Sequence, residues 1–494
     1  MMYDNDVYKA AKFPFNRIPA SARIDENVYL ERYGSLQRMQ DRAKHLGRNN
    51  VAVKALQHVM TDYVVGNAGP TPIGGNEDHR AAWFSWSRGY CDVQGRRNLA
   101  QILREIVSAW VLGDILLVLT ADDTLPQNAI QQRVSLVDSA RVRTPGDFKK
   151  DADGTARTPG GSAVVLGVEF AKSGREIAYW VAPRSTKAGS GWKDFQRVPC
   201  YDPTTGRFVS RLLRRPDGES ATAVRSIPMF AACMPELEDL AHCADAAVQM
   251  AITRSKLGLI IGTEEPDNVR RALGNGDSSD PLTGVDVEGR VIQYGAVSDG
   301  AAMIMPSATT VHTVSHTGNI DMVQLMNQQW RHMAAAVDVP FEIWLSNFTG
   351  VSFSSGKLSY DKFYRKIHSW VEALSMTEKD LYNAITLEAD LLAGRAPIVV
   401  GAMRWVGPAI PDPDPSKSWT ADINSREAAL ENSSAIVARR HGMDYKEFLE
   451  QRKSDQDFEK LILGTVSTAK PVPVVNGEKD EEDRDEKDEK EGAE

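Results

Sequence analysis

The stretch 347-NFTGVSFSSGKLSY-360 carries the residue types of a phosphate cradle: glycine, small hydroxyl side chains, then Gly356-Lys357 ahead of an apolar-periodic helix. A P-loop of the form G-x-x-x-x-G-K-[ST] holds phosphates on backbone N–H groups, brings its lysine to the terminal phosphates and sets the following hydroxyl on Mg²⁺. Here five residues separate Gly350 from Gly356, and Leu358 follows Lys357. The preceding 337-VDVPFEIWLSN-347 carries Pro340 and reads as a turn, not as the strand that should feed such a loop. A nucleophile elbow fails too, because 350-GVSFS-354 puts Ser354 where G-x-S-x-G needs its second glycine. Nine histidines are scattered without H-E-x-x-H spacing; His312 and His316 stand four apart, but 311-VHTVSHTG-318 reads as strand and turn. Cys91, Cys200, Cys233 and Cys243 form no C-x-x-C, and Cys233 and Cys243 read as small buried hydrophobes. Glu236, Glu238 and Asp239 open a helix, where they favour its dipole. No nucleophile, base and orienting group come together, so neither an enzyme nor a metal or cofactor site is expected.

These residues sit in a chain of 494, long enough for several domains. Charged residues make up 25% and the net charge is −9, unevenly spread. Residues 478–494 hold eleven acids and four bases, so the rest of the chain is close to neutral. That is not the basic balance of a protein that grips nucleic acid tightly. No apolar signal core opens the chain and no apolar run reaches membrane-spanning length, so a soluble protein made in a reducing cytoplasm is expected, with no membrane partner.

The elements that must position the loop are mixed α+β and mainly helical. Ala52, Leu56, Val59, Met60 and Tyr63 recur at helical spacing after Asn49-Asn50, and a second helix runs through 96–112 to Gly113. A strand follows at 115–119, then a β-rich region with strands at 131–138, 162–170 and 176–182 around a polar surface loop, 144–161. A helix over 235–258 carries a stripe of Leu240, Ala244, Ala247, Met250 and Ala251. A compact insert has strands at 258–263, 290–296 and 302–305, a short helix at 266–274 and a polar loop at 275–284. Another helix, 319–339, shows Ile320, Val323, Met326, Trp330, Met333 and Val337 at three- and four-residue steps. Beyond the loop a long helix runs to Gly394, a proline-dense linker covers 407–418, and helices are expected at 421–440 and 445–463 with Asp444 as a cap. Past Lys470 the composition is too polar to fold.

Three blocks in this order resemble the portal proteins of tailed bacteriophages, in their lambda-type branch: 83-WFSWSRGYCDVQGRRNLAQILREIVSAWVLGDILLVL-119, 338-DVPFEIWLSNFTGVSFSSGKLSYDKFYRKIHSW-370, and a C-terminal module over 405–452. The resemblance implies a portal-type fold of wing, stem, clip and crown assembling as a cyclic ring, usually of twelve copies, at one capsid vertex. By position it assigns 1–232 to the wing, 233–257 and 319–337 to stem helices, and 258–318 to the clip. It assigns 338–357 to a tunnel loop, 358–419 to the long wing helix and linker, 420–464 to the crown, and 465–494 to a disordered acidic tail without a counterpart in the family.

The resemblance further implies that Asn347, Thr349, Ser352, Ser354, Ser355 and Lys357 face double-stranded DNA, touching phosphates without reading bases. Arg254, Lys256 and Arg331 become stem residues lining the channel, and Glu264, Glu265, Asp267, Arg270 and Arg271 the clip's charged docking rim. The partners it implies are further copies of the chain, the terminase large subunit, a head-completion or adaptor protein, and capsid and scaffold proteins. The location it implies is the virion, reached from the host cytoplasm during assembly. The alternatives are a nucleotide-binding hydrolase built on the Gly350–Lys357 loop, or another capsid-assembly component.

Overall fold

The structure is a computed structural model that describes residues 27, 30–31 and 34–463, apart from 68, 74–75, 153, 185–193, 218–219, 264–281, 286–290, 296–300, 307–321, 397–403 and 409–414. The chain divides into two units at Pro408.

The first unit opens with helices α1 (Ser35–Asn49) and α2 (Val51–Val64). Asn50 separates them and caps the second, its side chain accepting from the N–H groups of Ala52 and Val53 at 3.0 and 3.2 Å. A short strand β1 (Thr71–Ile73) and helix α3 (Glu77–Arg88) precede α4 (Leu99–Leu112). The expected start of that helix at 96 moves to 99 because Asn98 and Gln101 form a reciprocal capping box. Gly113, at φ 147°, ends it and turns the chain into β2 (Ile115–Ala121).

β2 pairs antiparallel with β3 (Gln132–Asp138). The stretch expected as a surface loop folds instead as a hairpin, β4 (Lys149–Lys150) with β5 (Ala156–Arg157). It is tied down by Phe148, buried edge-on against Trp180 at 5.0 Å. The single strand expected over 162–170 is two, β6 (Ala163–Val165) and β7 (Val168–Phe170), because Leu166 and Gly167 both take positive φ and close a tight turn. β8 (Glu176–Val181) and β9 (Gln196–Pro199) complete the six-stranded meander, and β10 (Ser210–Leu213) returns to β2. At the junction of these sheets all five N–H groups of buried Arg225 are used. Two go to Asp114 at 2.7 Å each, and three to the carbonyls of Val142, Leu166 and Ser139 at 2.7–3.0 Å.

Helix α5 (Met234–Lys256) leads into β11 (Leu257–Thr263), β12 (Leu282–Val285), β13 (Val291–Gly295) and β14 (Ala301–Pro306), which form one sheet in the order β11-β14-β13-β12. β12 lies where the end of a polar loop was expected, paired antiparallel with β13; the expected helix at 266–274 lies outside the described residues. Cys233 is buried as expected, whereas Cys243 is exposed. The chain continues through α6 (Met322–Val337), α7 (Phe341–Trp344), the forty-residue α8 (Phe353–Leu392) and β15 (Arg404–Val406), which pairs with β1. α8 buries Phe363, Ile367, Trp370, Leu374, Leu381 and Ile385 against α2, α3 and α4, with Trp370 edge-on to Trp110 at 5.7 Å. Each such fully buried side chain contributes about 1.5–3 kcal/mol.

In the second unit the helix expected over 421–440 is two. α9 (Pro415–Glu427) ends before Ala429, which takes positive φ, and Asn432 then caps α10 (Ser433–His441). Arg439 and Arg440 of α10 both bond Asp422 of α9, and α11 (Tyr445–Leu463) follows after the left-handed Gly442.

Candidate functional site

The loop singled out by its residue types hangs between two fixed points. At its root, α6 ends at Val337 and Asp338 takes a left-handed conformation, φ 52°. Two lysines of α8 secure this bend. Lys366 donates to the Val337 carbonyl at 2.7 Å and pairs with Asp217 at 3.2 Å, and Lys362 pairs with Asp338 at 2.6 Å. Burial lowers the Lys366 pKa, and Asp217 works against that shift.

The segment with Pro340, expected as a turn, is a buried helical turn. Pro340 caps α7, and Val339, Phe341, Ile343 and Trp344 are all buried. Trp344 Nε1 donates to the Ala52 carbonyl at 2.7 Å, and its ring meets Trp330 edge-on at 5.8 Å. No strand feeds the loop, which removes the geometric premise of a P-loop.

Ser346, at φ 52°, then sends the chain into solvent. Asn347 Oδ1 accepts from the Thr349 N–H at 3.1 Å, the Val351 N–H donates to the Phe348 carbonyl at 3.2 Å, and Gly350 takes φ 77°. Helix α8 begins at Phe353, earlier than expected, so Ser354, Ser355, Gly356 and Lys357 belong to its opening turns and only Leu345–Ser352 is loop. Ser352 caps the helix: its Oγ accepts from the Ser355 N–H at 3.3 Å and donates to Ser355 Oγ at 2.9 Å. Both hydroxyls therefore serve the cap first. Gly356 is helical, which leaves Gly350, at positive φ, as the loop's one flexible glycine.

Of the residues singled out, the structure brings Asn347, Thr349, Ser352, Ser354, Ser355 and Lys357 together on one short segment, with Thr349, Ser352, Ser355 and Lys357 exposed. Arg331 is exposed on α6 with its guanidinium 5.4 Å from the Phe341 ring centre. Arg254 and Lys256 stand at the end of α5, with side chains outside the described residues. Glu264, Glu265, Asp267, Arg270 and Arg271 lie outside the described residues altogether. The supports at Trp344, Lys362 and Lys366 escaped the sequence reading. Their one visible signal is the i, i+4 lysine pair on an otherwise apolar-periodic helix. Among the described residues no cluster of metal-ligating side chains occurs, and no helix is long and apolar enough to cross a membrane.

Helix, sheet insert, helix, loop and long helix in this order define a class of protein in which two helices carry a β-sheet insert between them. Residues 18–370 match the phage portal proteins of the lambda family. The chain belongs to that family and is a phage-type portal protein. Nothing matches among curated proteins. Among solved structures the chain is similar, at 12% identity and a TM-score of 0.43, to a chain in the neck of an empty GTA particle computed with C6 symmetry. That match covers 80% of this chain and 92% of the other. It is also similar, at 11% identity and a TM-score of 0.32, to a chain of the virion of a native gene transfer agent particle, over 76% and 97% of the two chains. The family assignment rests on the sequence match.

Proposed function

We propose that this portal protein closes into a ring, of the twelve copies usual in its family, at one vertex of a capsid, and that double-stranded DNA enters and leaves through its centre. The single observation that carries the reading is the family match over residues 18–370. The exposure of α5 supports it: from Ala241 to Gln249 every residue but Ala244 is exposed, Val248 among them, and Ala244 is only half-buried. The middle of this helix, Ala247 and Val248 included, is thus uncovered within one chain, and neighbouring copies would cover it.

In this reading residues 1–232 and 358–419 are wing, 233–257 and 319–337 stem, 258–318 clip and 420–464 crown. The loop borders the channel. Asn347, Thr349, Ser352, Ser354, Ser355 and Lys357 offer hydrogen bonds to passing phosphates, and Arg254, Lys256 and Arg331 line the stem below. The near-neutral body suits a passage through which DNA must slide without sticking. Glu264, Glu265, Asp267, Arg270 and Arg271 form the rim on which the terminase large subunit, and later an adaptor protein, dock. The family is a structural one, and the energy for packaging would come from the docked motor. The test is single-particle imaging of the purified full chain with particle mass measured in parallel. Rings with a central hole are expected; a uniform monomer or dimer at every salt and scaffold condition would overturn the reading.

A further inference from the structure

The end of α6, the α7 turn and the start of α8 line an open cavity of about 260 Å³ at the root of the loop. Its walls are largely apolar, from Ala334, Ala335, Pro340, Phe341 and Phe363. Charged groups stand round it. Arg331 lies over the Phe341 ring and Lys362 is paired with Asp338, while Glu342 has no ion pair among the described residues.

The same chain holds out an apolar side chain with nowhere to go. Phe348, at the loop tip, is 54% exposed, and the cavity beside its own root stays open. Its turn is packed down: Val351 donates back to the Phe348 carbonyl, and the Val351 side chain lies against the first turn of α8 at Gly356. Phe348 and Lys357 therefore lie on one short segment, joined through Val351. Lys357 is exposed and, like Glu342, has no ion pair among the described residues.

A closed ring is built from head-to-tail contacts, in which one face of each copy supplies the projection and a different face the socket. An exposed aromatic and an unpaired cation on one short segment, and an apolar cavity beside an unpaired anion, are such a complementary pair of faces. We propose that Phe348 of one copy seats in this cavity of the next, with Lys357 of the first set against Glu342 of the second. The inference rests on the ring reading and deepens it. The loops would be chained round the channel, so that displacing one displaces its neighbour. The Lys357 charge would be partly balanced, so that its ammonium still reaches passing phosphates without forming a bare belt of positive charge.

The test uses the full chain and reads the protein concentration at which rings fall apart. Truncating a buried aromatic anchor weakens an interface by about tenfold or more, and that rise is expected for Phe348→Ala, with monomer thermal unfolding unchanged because the side chain is exposed there. Lys357→Glu and Glu342→Lys should each weaken the ring, and the double exchange should restore it. In a Cys243→Ser background, Phe348→Cys with Ala335→Cys should give a ladder of covalently linked copies under oxidation. If wild-type rings form while the single variants assemble normally and no ladder appears, this contact is refuted and the ring stands. If the wild type never forms rings, the ring reading falls and this contact with it.

Discussion

Replacing Trp344 asks how firmly the loop's root is held. The side chain is 1% exposed, stacks edge-on against Trp330 and donates to the Ala52 carbonyl in α2. Trp344→Phe keeps an aromatic wall but removes the donor, a loss of about 1–2 kcal/mol for a buried hydrogen bond. Trp344→Ala also leaves a cavity, and such truncations cost about 3–5 kcal/mol. The loss should be local, because the left-handed residues Asp338 and Ser346 bracket α7 and the segment between them can open as a piece. Native-state hydrogen exchange reads this directly. The Ile343 and Trp344 amides donate to the Pro340 carbonyl, and the Leu345 amide to that of Phe341. Exchange at these three should speed up by about tenfold in Trp344→Phe and by more than about a hundredfold in Trp344→Ala, at 1.4 kcal/mol per tenfold. Amides in the middle of α8 should not change. Wild-type rates at all three amides in both variants would refute the reasoning and shift the anchoring to Lys362 and Lys366.

Arg225→Met should destabilise the first unit by about 3–5 kcal/mol, because it strands the Asp114 carboxylate and three buried carbonyls. Denaturant melts of the single and the Asp114→Leu/Arg225→Met double variant check this, and the double should cost less than the single. Glu378 is fully buried with no hydrogen-bond partner among the described residues, and burial pushes its pKa well above the usual carboxyl range. The folded chain therefore keeps a proton that the unfolded chain releases, and its stability falls as pH rises from about 4.3 upward. Glu378→Gln should match the wild type near that pH and melt progressively higher than it towards neutral pH; parallel melting curves across the range would count against the argument. Gly167→Ala forces a side chain onto φ 83° with its Cβ 2.5 Å from the Arg143 nitrogen, and should cost more than about 1 kcal/mol in the same melts.

Much of the scaffold was legible because local chemistry fixed it. Asn50 and Gly113 mark their helix ends by capping and backbone freedom, and the 3.6-residue stripe of α8 names the residues it buries, whereas the cap at Asn98 was missed. The misreadings have equally local causes. Leu166-Gly167 hides a turn inside an apolar run, since leucine is not a usual occupant of positive φ. Phe148 turns a polar excursion into a hairpin only because Trp180, far along the chain, offers it a face. Pro340 looked like a breaker and is a helix cap, a role set by the pocket for Trp344 that α2 and α6 build. The polar character of the loop was plain from its composition, but the partners holding it were not, because Ala52, Asp217 and Lys366 reach it across long stretches of chain.

In the proposed ring the loop would face two demands that pull against each other. It would have to yield to a moving polymer and return to one place in every copy. The structure separates them along a short length of backbone. On one side α7 is bolted by an indole; on the other Ser352 spends its hydroxyl on the cap of a forty-residue helix whose middle turns, Phe363 to Ile385, lie in the core. Between them stand two positive-φ residues, Ser346 and Gly350, and side chains that are polar apart from Phe348, Val351 and the half-buried Leu345. Val351 packs inward on α8, so Phe348 is the one large apolar group left facing out. A loop needed only to touch DNA would have no use for it, since an exposed phenyl ring there costs solubility and adds nothing to a phosphate contact. Its presence makes sense if the loop's second duty is to hold its neighbour, and the flexible glycine then sits between the grip and the bolt.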